Sequence, residues 1–330
     1  MTVGWGIIGI GNIADRATAP HVQELSESEL VAVVSRDQGR ADAFAKKHSA
    51  RHAYTNYDQM LANPDVQVVA IHTPNGLHAE QAIAAARAGK HVLCDKPLAT
   101  SVEGAHRVVE ECEKAGVKLG LNFMTRYPAC FVDARRIIEA GALGEIALIQ
   151  IEVSNGGAPL RNWRAEPELA GLGTINNIGV HAYDLLRFLL GAEVSEVSVL
   201  TNVGRKKELE VMALSLFRFS NGTLAYANAN QVYPHNQPEI DIYGSKGRIT
   251  ASKVTRPWQD GEMRVLTQEG EKVTQATSQD CYRRVIDDFN HAVLGNREPH
   301  ATGLDGLRSV QLADAMARSA HEGRTVELNY

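Results

Sequence analysis

Residues Val3–Ala14 read Val-Gly-Trp-Gly-Ile-Ile-Gly-Ile-Gly-Asn-Ile-Ala, an apolar run without polar alternation that ends in a G-x-G-x-x-A turn. A short run of this kind is a strand buried on both faces, and its glycine-rich end predicts a tight turn into a helix. Gly9 permits the turn, and Gly11 lets the backbone approach a pyrophosphate with no Cβ in the way. Ala14 is small enough for the helix to pack close on its strand. The helix start at Asn12 and Ile13 offers unbonded N–H groups and the positive end of the helix dipole to an anion. The stretch therefore predicts the first β-α unit of a dinucleotide-binding domain.

The following sequence keeps the same rhythm. Strand candidates Leu30–Ser35, His52–Tyr54, Val66–His72, His91–Asp95 and Val117–Asn122 alternate with helix candidates at about 12–25, Gly76–Ala88 and Thr100–Ala115. Thr100 and Glu103 have capping-box spacing at the start of the last helix. Repeated β-α alternation with buried strands predicts an α/β, doubly wound parallel sheet, a Rossmann domain, over residues 1–122, with ligands at the carboxyl ends of the strands.

At 330 residues the chain exceeds what one core usually organises, and the pattern changes near Phe123. A helix at Phe131–Ala140, closed by Gly141 and Gly144, precedes strand candidates Ile146–Val153, Val194–Asn202, Glu210–Phe219, Thr223–Gln231 and Ile240–Tyr243. Asn221-Gly222 reads as a two-residue hairpin turn, and Gly244-Ser245-Lys246-Gly247 as a second hairpin. Helices near Asp280–Leu294 and Gly303–His321 follow. Residues 123–330 thus predict an α+β domain with a large, open, mainly antiparallel sheet. With helices on one face, the other is free to pair with a second copy, so a homodimer or homotetramer is expected.

Charge narrows the partners. With 34 basic against 39 acidic residues and a net charge of -5, nothing favours nucleic acid or an anionic membrane. No apolar run reaches the length of a membrane span, and residues 1–14 lack a signal peptide's basic start and cleavage site, so a cytoplasmic location is expected. Cys94, Cys112, Cys130 and Cys281 are widely spaced with no C-x-x-C, which predicts reduced, buried thiols. His72, His78, His91 and Asp95 have no metal-ligand spacing, so no metal is expected.

The carboxyl ends of the strands carry the chemistry. After the second strand stand Ser35, Arg36, Asp37 and Arg40. An NAD site usually places a carboxylate here for the ribose hydroxyls, whereas a 2′-phosphate needs cations instead. Small, neutral Ser35 followed by Arg36 favours NADP(H); Asp37 keeps NAD(H) possible.

Further along stand Thr-Pro-Asn-x-x-His at 73–78, Ala-Gly-Lys-His-Val-Leu-Cys-Asp-Lys-Pro at 88–97, Trp163-Arg164, Gly179-Val180-His181 with Asp184, and Ala301-Thr302-Gly303 with Asp305-Gly306. With the opening turn, this ordered set resembles the Gfo/Idh/MocA oxidoreductases across nearly the whole chain. Within the family the chain is most similar to the NADP-dependent anhydrofructose reductases, whose Ser-then-Arg pattern it shares. The resemblance implies cofactor contacts from Thr73, Pro74, Asn75, His78, Asp95 and Lys96, and an active-site role for Lys96 beside a cis Lys96–Pro97 bond. An ammonium at this strand edge can stabilise the oxygen that becomes alkoxide or carbonyl during hydride transfer. Asp95 stands where the family usually has Glu.

In Ile175–Asp184, a helix starting here would put Asn177, His181 and Asp184 at i, i+4 and i+7 on one face. Histidine titrates near neutrality, and its family position makes His181 the acid–base group. Asp184 orients His181 or pairs with Arg187. Many relatives have Asp where this chain has Asn177, and an amide cannot accept a proton. Asn122, Arg126, Trp163 and Arg164 match positions lining the substrate cleft of similar proteins, with Tyr282 reaching it from the late helix. Trp163 and Tyr282 have sheet packing as the alternative. The expectation is an NADP-dependent oxidoreductase of a secondary alcohol or ketone on a sugar, polyol or related cyclic compound. The alternatives are an NAD-dependent sugar, inositol or dihydrodiol dehydrogenase, and a catalytically silent NADP(H)-binding sensor.

Overall fold

β1 (Val3–Ile8) is buried at every residue, as a strand covered on both faces must be. It lies within a six-stranded parallel sheet that also contains β2 (Ser28–Val34), β3 (His52–Tyr54), β4 (Val68–Ile71), β5 (His91–Cys94) and β6 (Leu119–Leu121), in the order β3-β2-β1-β4-β5-β6. The computed structural model describes residues 2–202, 209–232 and 238–330. The strand order reverses between β1 and β4, whose last residues Ile8 and Ile71 are register partners. A ligand crevice is therefore expected just beyond Ile8 and Ile71.

The connecting helices are α1 (Ala19–Glu24), α2 (Gln38–Lys47), α3 (Tyr57–Leu61), α4 (His78–Arg87) and α5 (Val102–Ala115). A π-helical turn, Ala14–Thr18, leads into α1, so helical backbone runs continuously over 12–24. α2 and α3 lie where the apolar pattern marks no helix. Each begins on a side-chain cap instead: Asp37 accepts from the Arg40 amide and Asn56 from the Asp58 amide, both at 2.7 Å. The cap of α5 is Ser101 rather than Thr100, because the helix starts at Val102 and Ser101 Oγ accepts from the Gly104 amide at 3.1 Å.

The rest of the chain forms α6 (Ala129–Glu139), β7 (Ile146–Ser154), α7 (Pro167–Ala170), α8 (Val180–Leu190), β8 (Val194–Thr201), β9 (Met212–Phe219), β10 (Leu224–Asn230), β11 (Glu239–Gly244), β12 (Gly247–Ser252), β13 (Asp260–Thr267), β14 (Gly270–Thr277), α9 (Cys281–Leu294), α10 (Gly303–Glu322) and β15 (Val326–Glu327). Nine strands make one sheet, ordered β14-β13-β12-β11-β7-β10-β9-β8-β15, antiparallel except for the β7/β10 pair. The Gly244–Gly247 hairpin joins β11 to β12 in register. At the other hairpin, the Gly222 amide donates to Phe219 O and the Phe219 amide to Thr223 O, with Gly222 at φ +88°. Three residues rather than two thus make that turn, because only Gly222 takes the left-handed conformation.

Two compact units result: Met1–Asn122 with Tyr282–Val310, and Phe123–Cys281 with Gln311–Tyr330. A single cut at 122/123 does not describe this division, since most of α9 packs with the parallel sheet. Phe289 meets Trp5 edge-on with ring centroids 5.9 Å apart, and Trp5 Nε1 donates to Asn290 Oδ1 at 2.9 Å. In the second unit, Ile149, Ile151, Phe217, Phe219 and Ala227 on the inner face of the sheet share a core with Phe131, Leu186 and Leu189. The outer face keeps Leu216 and Leu200 60% and 73% exposed, and Leu224 beside Leu148 is exposed as well.

All four cysteines are buried thiols outside any disulfide. Burial pushes the thiols of Cys112 and Cys130 up to about 12, and that of Cys94 higher than its ordinary value too. Among the described residues, no helix is long and apolar enough to cross a membrane.

Candidate active site

The crevice beyond β1 fits a dinucleotide through two glycines with different roles. Gly9 has φ +88°, and a Cβ there would lie 2.8 Å from the backbone of His72 and Thr73. Gly11 is exposed, and a Cβ there would meet nothing within 4 Å, which leaves open space above the turn. The Asp15 amide makes the first helical bond to Gly11 O at 2.9 Å, so the amides of Asn12 and Ile13 precede the intrahelical ladder. Both side chains are at least partly exposed. Gly9→Ala is expected to destabilise the chain by about 1–3 kcal/mol, through both the left-handed φ and the clash; urea unfolding of the variant beside the unaltered chain reads it.

Beyond β2, Ser35 is partly exposed, and Arg36 and Arg40 are exposed. Asp37 is occupied as the cap of α2. Arg40 lines a cleft of about 440 Å³ with Gly11, Asn12, Asp15, Phe44 and Lys47. Lys47 and His48 both bond Asp15, each at 2.7 Å. Hydrogen bonds from His48 and Lys47 lower the Asp15 carboxyl, so its negative charge is matched beside the cleft.

Beyond β4 and β5 two loops are tied together by His78, which is fully buried. Its Nδ1 lies 2.7 Å from the Pro97 carbonyl and its Nε2 2.9 Å from the Thr73 carbonyl. Burial lowers its pKa, with the Pro97 hydrogen bond opposing. His78 therefore shapes the cofactor edge through the backbone rather than reaching the cofactor itself. Thr73 Oγ1 donates to Gln81 at 2.5 Å, Pro74 caps a 3₁₀ turn, Asn75–Leu77, and Asn75 is buried.

The Lys96–Pro97 peptide is cis, as the resemblance implies. Before it, Asp95 Oδ1 accepts from the Lys96 amide at 3.1 Å and from Asn122 Nδ2 at 3.4 Å. Asp95 Oδ2 lies 3.5 Å from His72 Nδ1, and His72 Nε2 is 2.9 Å from Thr18 Oγ1. Burial raises the Asp95 carboxyl, but the His72 hydrogen bond and the charges of His72 and Lys96 outweigh it and hold it well below the usual carboxylate range. Lys96 thus leaves the edge of β5 beside a permanent carboxylate. His72 had only a metal reading in the sequence, and among the described residues no three metal-ligating side chains cluster.

In the second unit His181 sits partly exposed in the first turn of α8, after a π-helical turn, Ile175–Gly179. Among the described residues, both π-turns fall in segments singled out for function, where such turns often occur. Of the two roles expected for Asp184, charge pairing is the one the structure shows, with Arg126 as its nearer partner. Asp184 is fully buried, and its carboxylate takes Arg126 Nε at 2.7 Å and Nη2 at 2.5 Å, with Arg187 Nη1 at 3.8 Å. Arg126, expected to line the cleft, is therefore a buried structural partner, its guanidinium also packed on the Phe123 and Phe188 rings. Tyr282 is buried in the first unit, so packing describes it. Trp163 is partly exposed on a 3₁₀ turn, with the Arg164 guanidinium 4.2 Å above its ring. Arg164 Nε donates to Asn177 Oδ1 at 3.3 Å. Asn177 Nδ2 and Asn155 Nδ2 both donate to Gln231 Oε1, each at 2.8 Å. Sequence reasoning missed Asn155 and Gln231; the carboxamides Asn228, Asn230 and Gln231 gathered at the end of β10 were the available signal.

Comparison with known proteins agrees with this architecture. The profile of the oxidoreductase family's NAD-binding Rossmann fold matches residues 3–123, and that of its C-terminal alpha/beta domain matches residues 135–328. The chain is 31% identical over 327 residues to a 1,5-anhydro-D-fructose reductase of Ensifer adhaerens, covering 98% of each. It is 31% identical over 332 residues to the D-xylose 1-dehydrogenase (NADP(+)) 2 of Haloferax volcanii, covering 98% of this chain and 99% of that one. The crystal structure of an aldose-aldose oxidoreductase from Caulobacter crescentus complexed with glycerol superposes with a TM-score of 0.92 at 28% identity, over 99% of this chain and 100% of that one. The chain belongs to the Gfo/Idh/MocA family and is an NAD(P)-dependent oxidoreductase.

Proposed function

We propose that the chain is an NADP-dependent oxidoreductase acting on a secondary alcohol or ketone of a sugar, polyol or related cyclic compound. The observation that carries this reading is Lys96, set just beyond the carboxyl end of β5 with its amide bonded to the Asp95 carboxylate. When bound, the nicotinamide supplies the acceptor or donor of the hydride. Lys96 donates a hydrogen bond to the reacting oxygen and stabilises its developing negative charge. His181 takes the hydroxyl proton during oxidation and returns it to the oxygen during reduction. Asn177 holds a substrate hydroxyl and takes no proton. The names of the sugar-acting relatives support the substrate class.

NADP is favoured by what β2 lacks. Asp37, the carboxylate that follows it, is used as a helix cap, while Arg36 and Arg40 stand exposed for a 2′-phosphate. The proposal includes a homodimer or homotetramer formed through the apolar outer face around Leu200, Leu216 and Leu224.

The test is nicotinamide absorbance in both directions over sugars, polyols, cyclitols and 1,2-diketones, with NADP(H) and NAD(H) in parallel. Turnover with a sugar or polyol is expected; tight NADPH binding without turnover on any of them would favour a sensor. Arg36→Ala is expected to raise the Kd for NADPH about 10–100-fold while changing that for NADH by less than about threefold, since one charge-assisted contact to the phosphate is lost. Equal losses, measured by fluorescence titration, would sink the phosphate assignment.

A further inference from the structure

Three carboxamides meet at the end of β10, and their anchors fix which way each points. Asn155 Nδ2 donates to the Ala158 carbonyl at 3.0 Å and to Gln231 Oε1 at 2.8 Å. Both hydrogens of that amide are therefore used. Asn177 Oδ1 accepts from Arg164 Nε at 3.3 Å, and its Nδ2 donates to the same Gln231 oxygen at 2.8 Å. A peptide carbonyl cannot donate and a guanidinium cannot accept, so neither asparagine can exchange its oxygen and nitrogen. Both present N–H to Gln231, whose oxygen must face them and whose Nε2 must face away.

Gln231 is 4% exposed, and neither its Nε2 nor Asn155 Oδ1 has a hydrogen-bond partner among the described residues. Two bonded amides thus carry one unmet buried donor and one unmet buried acceptor, an unfavourable arrangement unless a third group completes it.

We propose that Gln231 Nε2 and Asn155 Oδ1 together bind one hydroxyl of a neutral polyhydroxylated substrate, which makes Gln231 a specificity-determining residue. The inference rests on the function proposed above for what enters the site. A hydroxyl is donor and acceptor on one atom: its O–H bonds Asn155 Oδ1, and its lone pair takes a hydrogen from Gln231 Nε2. A carboxylate or phosphate would meet the donor but oppose the acceptor, and a methylene would leave both unmet. Asn177 is part of the arrangement. An aspartate there would draw Gln231 Nε2 toward its carboxylate and remove the unmet donor.

Two variants separate binding from scaffolding. Gln231→Glu keeps an oxygen that accepts from both asparagines but replaces the outward donor by an acceptor, whereas Gln231→Met removes both functions. Thermal unfolding of the unaltered chain and both variants is followed with and without NADPH, in the presence of 1,5-anhydro-D-fructose, D-xylose or myo-inositol. At least one of these neutral compounds is expected to raise the melting temperature of the unaltered chain. That rise should vanish in both variants, while the rise given by NADPH alone persists. For any compound turned over, both variants should raise KM about tenfold or more with kcat changed less than about threefold.

A full polyol response in Gln231→Glu would overturn the proposal and leave Gln231 a scaffold residue. No response from any of the three in the unaltered chain, with a crystal structure showing only a buried water on Gln231 Nε2 and Asn155 Oδ1, would also overturn it. Polyol stabilisation without hydride transfer instead sinks the proposed NADP-dependent chemistry on these compounds and leaves the subsite standing.

Discussion

Lys96→Met is expected to lower kcat by at least about 10²–10³-fold, the loss typical of removing one pre-positioned donor from a developing oxyanion, while weakening NADPH binding far less. Methionine keeps most of the side-chain length and removes the charge. The surrounding geometry explains why nothing replaces it. Asp95 is bonded to the Lys96 amide and to Asn122, with His72 alongside, so the neighbouring groups are engaged in holding the loop. Turnover is read by nicotinamide absorbance, and binding by the fluorescence of NADPH. Unchanged turnover would remove Lys96 from the chemistry; parallel loss of turnover and binding would make it a cofactor anchor instead.

The other large effect concerns stability. Asp184→Ala should cost about 3–5 kcal/mol, because it strands the Arg126 guanidinium in a site 4% exposed between two phenyl rings. An Arg126→Met, Asp184→Leu double variant should recover most of that loss, since replacing both charges by apolar groups leaves neither buried and unpaired. Urea unfolding reads both variants. A single-variant loss under about 1 kcal/mol would mean that water reaches the pair and screens it.

The parallel sheet was legible because every one of its strands but the edge strand β3 is an apolar run with turn residues behind it, and because glycine spacing has one local meaning at the end of a buried strand. Helices α2 and α3 were not, since caps at Asp37 and Asn56 start them rather than an apolar stripe. β14 was missed for a related reason: all but one of its residues are exposed, so no inward row marks it. In the site, Gly9, Gly11, Lys96 and His181 declare themselves by type and position. Arg126 does not: the same guanidinium could meet a substrate or a carboxylate, and the choice depends on Asp184, 58 residues away. Gln231 stayed hidden because its partners, Asn155 and Asn177, lie 76 and 54 residues earlier. The placement of α9 likewise depends on Phe289 meeting Trp5, a contact no local pattern encodes.

The interleaved units bear on the order in which the chain leaves the ribosome. Trp5 is made well before Phe289 and Asn290, which pack on it and bond its indole and emerge after every strand from β7 to β14. β7 waits as well, because its partners β10 and β11 follow only after α7, α8 and two further strands. β8 gains its outer neighbour from Val326–Glu327. Neither unit can finish folding as its own stretch of chain appears, so the nascent polypeptide carries two unfinished cores through most of its synthesis. A pause or cleavage before Tyr282 would yield not one sound domain and a missing one, but a parallel sheet without the helix that covers Trp5 and a second sheet without its last strand, both with apolar surface exposed to chaperones and proteases.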